Sequence, residues 1–425
     1  MKKINSILEE VMENITPPKE NIIEIENFLE NFKEKVLKKL KILKINAEIF
    51  IGGSFAKKTL IKKDKYDIDV FLRFDDKYKN EEISELTKKI LENFEEVSIV
   101  HGSRDYFKIK INGRSFLELI PVKKIQKPDQ AVNITDLSYL HVKYINKKLK
   151  SKQSLNEVML TKAFCHANQC YGAESYINGF SGYGLELLIY HYKSFLKFIK
   201  AMVKSKKEKI IIDIEKYYKN KKLILMDLNS SKLKSPIILI DPTYRQRNVL
   251  AALSDETFKK FKKACKKFLN KPHLNDFYIK KTNLEKIKNN AKNKDFEFIL
   301  FEAATSKPEG DVAGTKLIKF YKHLEYEIKR YFDVKDKGFN YNGKNNARYF
   351  FVVKNKKEFL ITGPSIKDQK NVKAFEKVHK NYFTRKGKIY SKERVDFNIE
   401  EFFIKWKKKN KRKIKEMYIT GLNIL

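Results

Sequence analysis

Ile51-Gly52-Gly53-Ser54-Phe55-Ala56-Lys57-Lys58-Thr59 is followed, eight positions after Thr59, by Asp67-Ile68-Asp69-Val70-Phe71. The first stretch closes a short apolar run and turns on two glycines. The second places two carboxylates one residue apart inside another apolar run. On a strand, residues i and i+2 point the same way. Asp67 and Asp69 therefore aim at one place, while Ile68 and Val70 face the other side. Two like charges this close repel unless a cation sits between them. Mg2+ takes a few carboxylate oxygens and keeps positions open for water and phosphate oxygens. Such a pair suits a two-metal centre, with metals ~3.5–4 Å apart in the general scheme. The glycines let backbone N–H groups approach a phosphate, and a helix start over 54–59 favours anions. Ser54 can donate its hydroxyl to a terminal phosphate, and Lys57 can pair with it. A plain polar strand face is the competing account of the two acids.

Working outward, the pattern predicts an α+β multidomain chain. Thr16-Pro17-Pro18 reads as a helix start, with Thr16 as N-cap and apolar residues at helical spacing from Ile22 to Leu40. Ala47 to Ile51 and Asp67 to Phe74 read as strands, Asn80 to Phe94 as a helix. Val97 to His101, Tyr106 to Ile111 and Ser115 to Val122 follow as strands, the last two joined at Asn112-Gly113. Residues 1–128 thus form a unit built on a small mixed sheet. Residues 129–270 read as mainly helical, broken at Gly179 to Gly184 and at Lys234 to Pro242. Residues 271–425 mix strands and helices, including a long helix from Asp311 to Tyr331 and a basic run at 405–415. That run fits a polyanion contact and a solvated helical face equally well. Trp406 and the late aromatics read as core.

The bulk numbers narrow the class. The chain has 425 residues, 42% of them hydrophobic and 13% aromatic, ample for several cores. No apolar run approaches the ~20 residues that span a bilayer. The N-terminus carries acids and no long apolar centre, so no secretory signal is expected. Cys165, Cys170 and Cys265 are too few and too unevenly spaced for a disulfide framework or a structural zinc site, which fits a reducing cytoplasm. Lys and Arg number 91 against 53 Asp and Glu, a formal net charge of +38. Such an excess repels itself, and a nucleic acid is the commonest partner that relieves it. An AT-rich genome explains Lys over Arg, but not why acids failed to rise in step.

A centre of this kind needs a third carboxylate. Glu118 stands alone between Leu117 and Leu119 on a later strand. Gly53-Ser54, then Asp67-x-Asp69, then an isolated acid resemble the nucleotidyltransferase superfamily that includes DNA polymerase β. Two further segments narrow the resemblance, Tyr171 through Gly179-Phe-Ser-Gly-Tyr-Gly to Glu186 and Tyr190, and Asp241-Pro-Thr-Tyr-Arg-Gln-Arg-Asn248 through Ser254. Both are similar to the archaeal, class I CCA-adding enzymes, as is Gly363-Pro364-Ser365 before a helix. The resemblance covers nearly the whole chain in order.

It implies a nucleotidyltransferase palm over 1–128, a helical neck and central domain over 129–270, and an RNA-binding body and tail over 271–425. It implies template-independent addition of C, C and A to tRNA 3′ ends, from CTP and then ATP, at one Mg2+-dependent site. Asp67 and Asp69 would hold Mg2+. Glu118 would be the third carboxylate, where the family usually has Asp. Gly53, Ser54 and Lys57 would meet phosphates, with Lys57 where many relatives carry Arg, which alone offers a bidentate fork. Ser138 and His141 match positions reaching ribose or triphosphate, and Lys162 and Tyr171 match triphosphate contacts. Arg247 matches the arginine that meets the base edge. Cytosine and adenine both set an amino group beside a ring nitrogen acceptor, which a donor fork next to an acceptor can read. The expected partner is the tRNA acceptor stem and T arm, with no membrane, and a homodimer stays open. Each residue also has a plainer account: His141 as a half-buried histidine, Lys162 as one lysine of many, Tyr171 as core. A poly(A)- or uridylyl-adding relative and a decayed RNA-binding protein are the alternatives.

Overall fold

A computed structural model describes residues 2–101, 104–206, 208–279 and 282–425. Two units divide the chain, Met1–Lys280 and Lys281–Leu425.

The first unit opens with helix α1 (Lys2–Ile15) and helix α2 (Lys19–Ile42). On α2, Ile25, Leu29, Phe32, Val36 and Leu40 are buried, steps of three and four that keep one stripe on a core. The expected cap differs. Helix α2 begins at Lys19 behind Pro18, and the Thr16 hydroxyl donates to Met12 O at 2.6 Å, closing the preceding helix instead. Ile23, read as part of the apolar stripe, faces solvent. Then come β1 (Ala47–Ile51), the single turn α3 (Gly53–Ala56), β2 (Tyr66–Phe74), α4 (Glu82–Leu91), β3 (Val97–Val100), β4 (Tyr106–Lys110) and β5 (Ser115–Lys123).

These five strands form one sheet in the order β1-β2-β5-β4-β3, with β2 and β5 parallel and the other pairs antiparallel. One face packs on α2 and α4 through Ile68, Val70, Leu72, Phe74, Leu117 and Leu119. The turn between β4 and β5 falls at Asn112-Gly113 as expected, but its cause is the Asn112 side chain. Its Oδ1 accepts from Arg114 N and Ser115 N at 2.8 and 2.7 Å.

Beyond the sheet, helices α5 (Ser138–Lys148), α6 (Lys152–Ala167), α7 (Gly182–Tyr192), α8 (Phe195–Lys204), α9 (Lys221–Asp227) and α10 (Asp255–Asn270) gather a second core. Its centre is aromatic: Phe164 meets Phe195, Phe261, Phe268 and Phe277 at centroid distances of 5.2 to 6.2 Å. Helix α1 joins this core through Val11 and Ile15. The stretch read as mainly helical also holds a small sheet, β6 (Ile210–Ile212), β7 (Ile237–Asp241) and β8 (Tyr244–Asn248). Strand β7 is buried along its whole length, so it shows no alternation.

The second unit begins with α11 (Leu284–Lys292), β9 (Glu297–Ala304) and α12 (Asp311–Tyr331), the last with the bounds its sequence predicts. Strands β10 (Phe332–Tyr341) and β11 (Asn346–Asn355) follow, then β12 (Glu358–Ser365), α13 (Gln369–Val378), β13 (Tyr382–Arg385), β14 (Lys388–Arg394), α14 (Ile399–Lys409), α15 (Lys411–Glu416) and β15 (Gly421–Ile424). One antiparallel sheet runs β10-β11-β9-β15, and a smaller one β12-β14-β13. Leu317, Phe320, Tyr321 and Leu324 of α12 meet Phe402, Phe403 and Trp406 of α14 in its core. Trp406 is thus core, as expected. Lys405, Lys408 and Lys409 on α14 and Lys411, Arg412, Lys413 and Lys415 on α15 are all exposed.

Candidate active site

Strand alternation sets the site on the sheet face away from α2 and α4. Asp67 and Asp69 lie on that face of β2, and Glu118 on the same face of β5. Asp69 and Glu118 are direct register partners across the parallel pair. The glycine turn then folds over them. Gly52 N donates to Asp69 O at 2.8 Å, and Gly53 has φ +59°. A Cβ on Gly53 would stand 1.8 Å from Asp69 Oδ2. Only glycine brings α3 this close to the carboxylate in a left-handed conformation.

The acids perturb one another. Burial, then Asp67 and Asp69, push the Glu118 carboxyl up to about 7. Burial also raises Asp69, with Asp67 adding to it and Lys57 and Lys162 opposing. Lys108 of β4 relieves part of this charge. Its Nζ donates to Asp67 Oδ1 at 2.7 Å and reaches Glu118 Oε1 at 3.4 Å. The three acids share a face, yet they are not drawn into a single cluster. Among the described residues no group of three or more His, Cys, Asp or Glu is gathered closely enough to hold a metal ion. The Lys108 ammonium lies between Asp67 and Glu118. The donor set still fits a hard divalent cation: it is all carboxylate, and its excess negative charge raises its own protonation.

This has a pH signature. A carboxyl raised from 4.5 to about 7 binds its proton more tightly in the folded chain. Its stabilising share is fully present below the unfolded value and is lost as pH rises through 7. A divalent cation needs the ionised form. Mg2+ is thus expected to raise the Tm more at pH 8 than at pH 5, read by thermal unfolding with and without the ion; an equal rise at both would contradict this placement.

A second constellation lies where the sheet part meets the helices. Glu186 of α7 is fully buried. Its Oε2 accepts from Lys57 Nζ at 2.6 Å and its Oε1 from Lys162 Nζ at 2.8 Å. Lys162 Nζ also donates to Thr59 Oγ1 at 2.7 Å. Burial drives the Lys162 ammonium down to about 8, with Glu186 opposing and Lys57 pushing the same way. Tyr171, half-buried beside it, is raised by burial and then by Glu186 and Asp69. Tyr171 therefore lies near both Glu186 and Asp69, and its hydroxyl is 2.9 Å from where a Cβ on Gly182 would stand.

The third constellation centres on Asp241, at the end of β7 and fully buried. Its Oδ2 accepts from Arg247 Nη1 at 2.6 Å and lies 3.1 Å from His141 Nε2. Its Oδ1 accepts from the Tyr183 hydroxyl at 3.1 Å and from Thr243 N at 2.8 Å. Arg247 Nη1 also lies 3.1 Å from His141 Nε2, and His141 stacks on Tyr183 with centroids 4.1 Å apart. Burial lowers His141 despite Asp241. Burial would raise Asp241, but His141 and Arg247 outweigh it and hold the carboxylate low. Ser138, the first residue of α5, sits one turn before His141 on the same helix face.

The structure thus sets Asp67, Asp69 and Glu118 on one sheet face, joins Lys57 to Lys162 through Glu186, and joins His141 to Arg247. Sequence reading missed the groups that make these joints: Lys108, Thr59, Glu186, Tyr183 and Asp241. Glu186 had a signal, since it is the one charged residue in an otherwise apolar helical stretch, Leu185–Ile189.

Comparisons with known proteins give the family and fold this chain is similar to. The family described as "Nucleotidyltransferase domain" matches residues 29–134, and "tRNA nucleotidyltransferase, second domain" matches 156–278. A CCA-adding enzyme of Nanoarchaeum equitans is 41% identical over 50% of this chain and 52% of its own length. That alignment spans about half of that relative. One of Methanocaldococcus jannaschii is 29% identical over 91% of this chain and 87% of its own. Among solved structures, a cytoplasmic RNA terminal U-transferase superposes with a TM-score of 0.52 at 12% identity, covering 66% of this chain and all of that one. At that identity the likeness concerns the fold. No helix among the described residues is long and apolar enough to cross a membrane.

Proposed function

The chain belongs to the archaeal-type, class I CCA-adding enzymes, tRNA nucleotidyltransferases of the polymerase β-like superfamily, and on that footing we propose that it adds C, C and A to tRNA 3′ ends from CTP and ATP, without a template, in one site. The observation that carries this is the register pairing of Asp69 with Glu118 under the Gly53 turn, with Lys57 after α3 and Lys162 of α6 both acting on Asp69.

In this proposal the 3′-hydroxyl of the RNA attacks the α-phosphate in line, and pyrophosphate leaves. Positioning and charge neutralisation supply most of the rate. Asp67, Asp69 and Glu118 would hold Mg2+, which when bound neutralises the phosphates and activates the hydroxyl. Lys108 covers their charge otherwise. Gly53 and Ser54 offer the start of α3 to the phosphates, Lys57 and Lys162 offer ammonium groups, and Tyr171 lines the same place. Ser138 and His141 face the ribose or triphosphate from α5. Arg247, held through Nη1 by Asp241, presents its guanidinium to the base edge from a fixed position, which favours the shared pattern of cytosine and adenine.

We assign the catalytic part to 1–128, the neck and central part to 129–270, and RNA binding to 271–425. The +38 charge and the exposed basic residues at 405–415 suit an RNA backbone, read as the acceptor stem and T arm by shape and phosphate contact. A cytoplasmic site of action and a homodimer belong to the same proposal. A tRNA ending at its discriminator base, incubated with Mg2+ and single nucleotides, is the direct test. Incorporation of CTP, then ATP, stopping after three additions is the expected result. Long homopolymer tails, or binding without incorporation, would replace this activity by another.

A further inference from the structure

Lys57 and Lys162 come from segments on opposite sides of a joint, the loop after α3 and the middle of α6, yet both ammonium groups end on one carboxylate. Glu186 has no exposed surface, Lys162 is 2% exposed and Lys57 8%. Burying two like charges side by side is unfavourable unless an opposite charge lies between them. Glu186 is that charge, and it divides its two oxygens between the two lysines. Each ammonium has three N–H donors. The contacts to Glu186 and Thr59 occupy two on Lys162, and the contact to Glu186 occupies one on Lys57. The others meet no acceptor among the described residues. The group as a whole is cationic, two positive charges against one, and it acts on Asp69.

We propose that Glu186 is the positioning residue of the triphosphate site: it keeps Lys57 and Lys162 together, charged and aimed beside Asp69, so that their remaining N–H groups meet the phosphates of CTP or ATP. The proposal rests on the nucleotide-binding role given above to these two lysines. Glu186 itself touches no substrate. The groups that face Lys162 are Glu186, Lys57 and Lys63, with Asp69 and Tyr171 nearby. Of these Glu186 is first among those that favour the ammonium form, while burial and the other lysines oppose it.

The test measures CTP and ATP affinity by equilibrium binding across pH 6 to 9, in the full chain, for the native protein, Glu186→Gln, Glu186→Asp and Leu188→Ala. Glu186→Gln keeps size and removes charge. Its affinity is expected to fall about tenfold at pH 8 and to decline with rising pH at least about one unit earlier than the native profile. Glu186→Asp keeps the charge and shortens the reach, so its affinity drops less and its pH profile stays near native. Leu188→Ala, a buried residue of the same helix, costs stability and leaves the profile in place. A Glu186→Gln profile that coincides with the native one overturns the proposal, as does an Asp variant whose profile shifts like the Gln variant. If the native chain binds neither nucleotide, the function proposed above falls first, and this role with it.

Discussion

Asp69→Asn should reduce nucleotide incorporation at least about a thousandfold, roughly 4 kcal/mol of transition-state stabilisation, while the chain stays folded. Asp69 is the central acid of the three, paired in register with Glu118 and one position removed from Asp67 on its own strand face. Its carbonyl also receives Gly52 N, so the strand itself is anchored at this residue and does not depend on the carboxylate. Burial and Asp67 both raise its protonation, so a neutral amide relieves an unfavourable charge. Without a divalent cation the Tm should therefore be equal to or above the native value. The Mg2+-dependent rise in Tm should shrink at the same time. Retained incorporation would remove Asp69 from the site, whereas lost activity with a large fall in Tm would make its role structural.

The second large effect is expected at Gly53. An alanine there meets two penalties at once. A left-handed backbone at a non-glycine residue costs roughly 1–2 kcal/mol. The added methyl carbon would also lie 1.8 Å from Asp69 Oδ2, so the turn or the carboxylate must shift. A displacement of about 1 Å at the reacting groups costs on the order of a hundredfold in rate. Gly53→Ala should therefore lower incorporation about a hundredfold with a modest loss of Tm. Gly343 separates the two penalties. It too has a positive φ, +87°, but no atom lies within 4 Å of an added Cβ. Gly343→Ala should cost stability of similar size and leave incorporation within about twofold of native. If both variants lose activity alike, backbone strain rather than the approach to Asp69 is the cause.

Much of the carboxylate face was legible because its cause is local. Alternation on β2 separates Asp67 and Asp69 from Ile68 and Val70, and the same alternation sets Glu118 against Leu117 and Leu119. Helix α12 was equally plain, since its apolar steps run without a break from Asp311 to Tyr331. What escaped was non-local. Glu186 lies 129 positions from Lys57 and 24 from Lys162, and His141 lies 100 from Asp241. No periodicity links such residues. Lys108 was hidden by composition, one lysine of a very basic chain, although it is the direct neighbour of Glu118 across β4 and β5. Strand β7 was hidden because burial on both faces removes alternation. Thr16 was misassigned because a threonine before two prolines fits a helix start, whereas its hydroxyl closes α1.

The shared carboxylate of Glu186 also limits how this protein can be cut and recombined. A chimera that grafted residues 1–128 onto a foreign helical partner would carry Lys57 and Thr59 without the acid that receives them. Such a graft needs α6 and α7 as part of the same cassette, or a replacement anion built at the new seam.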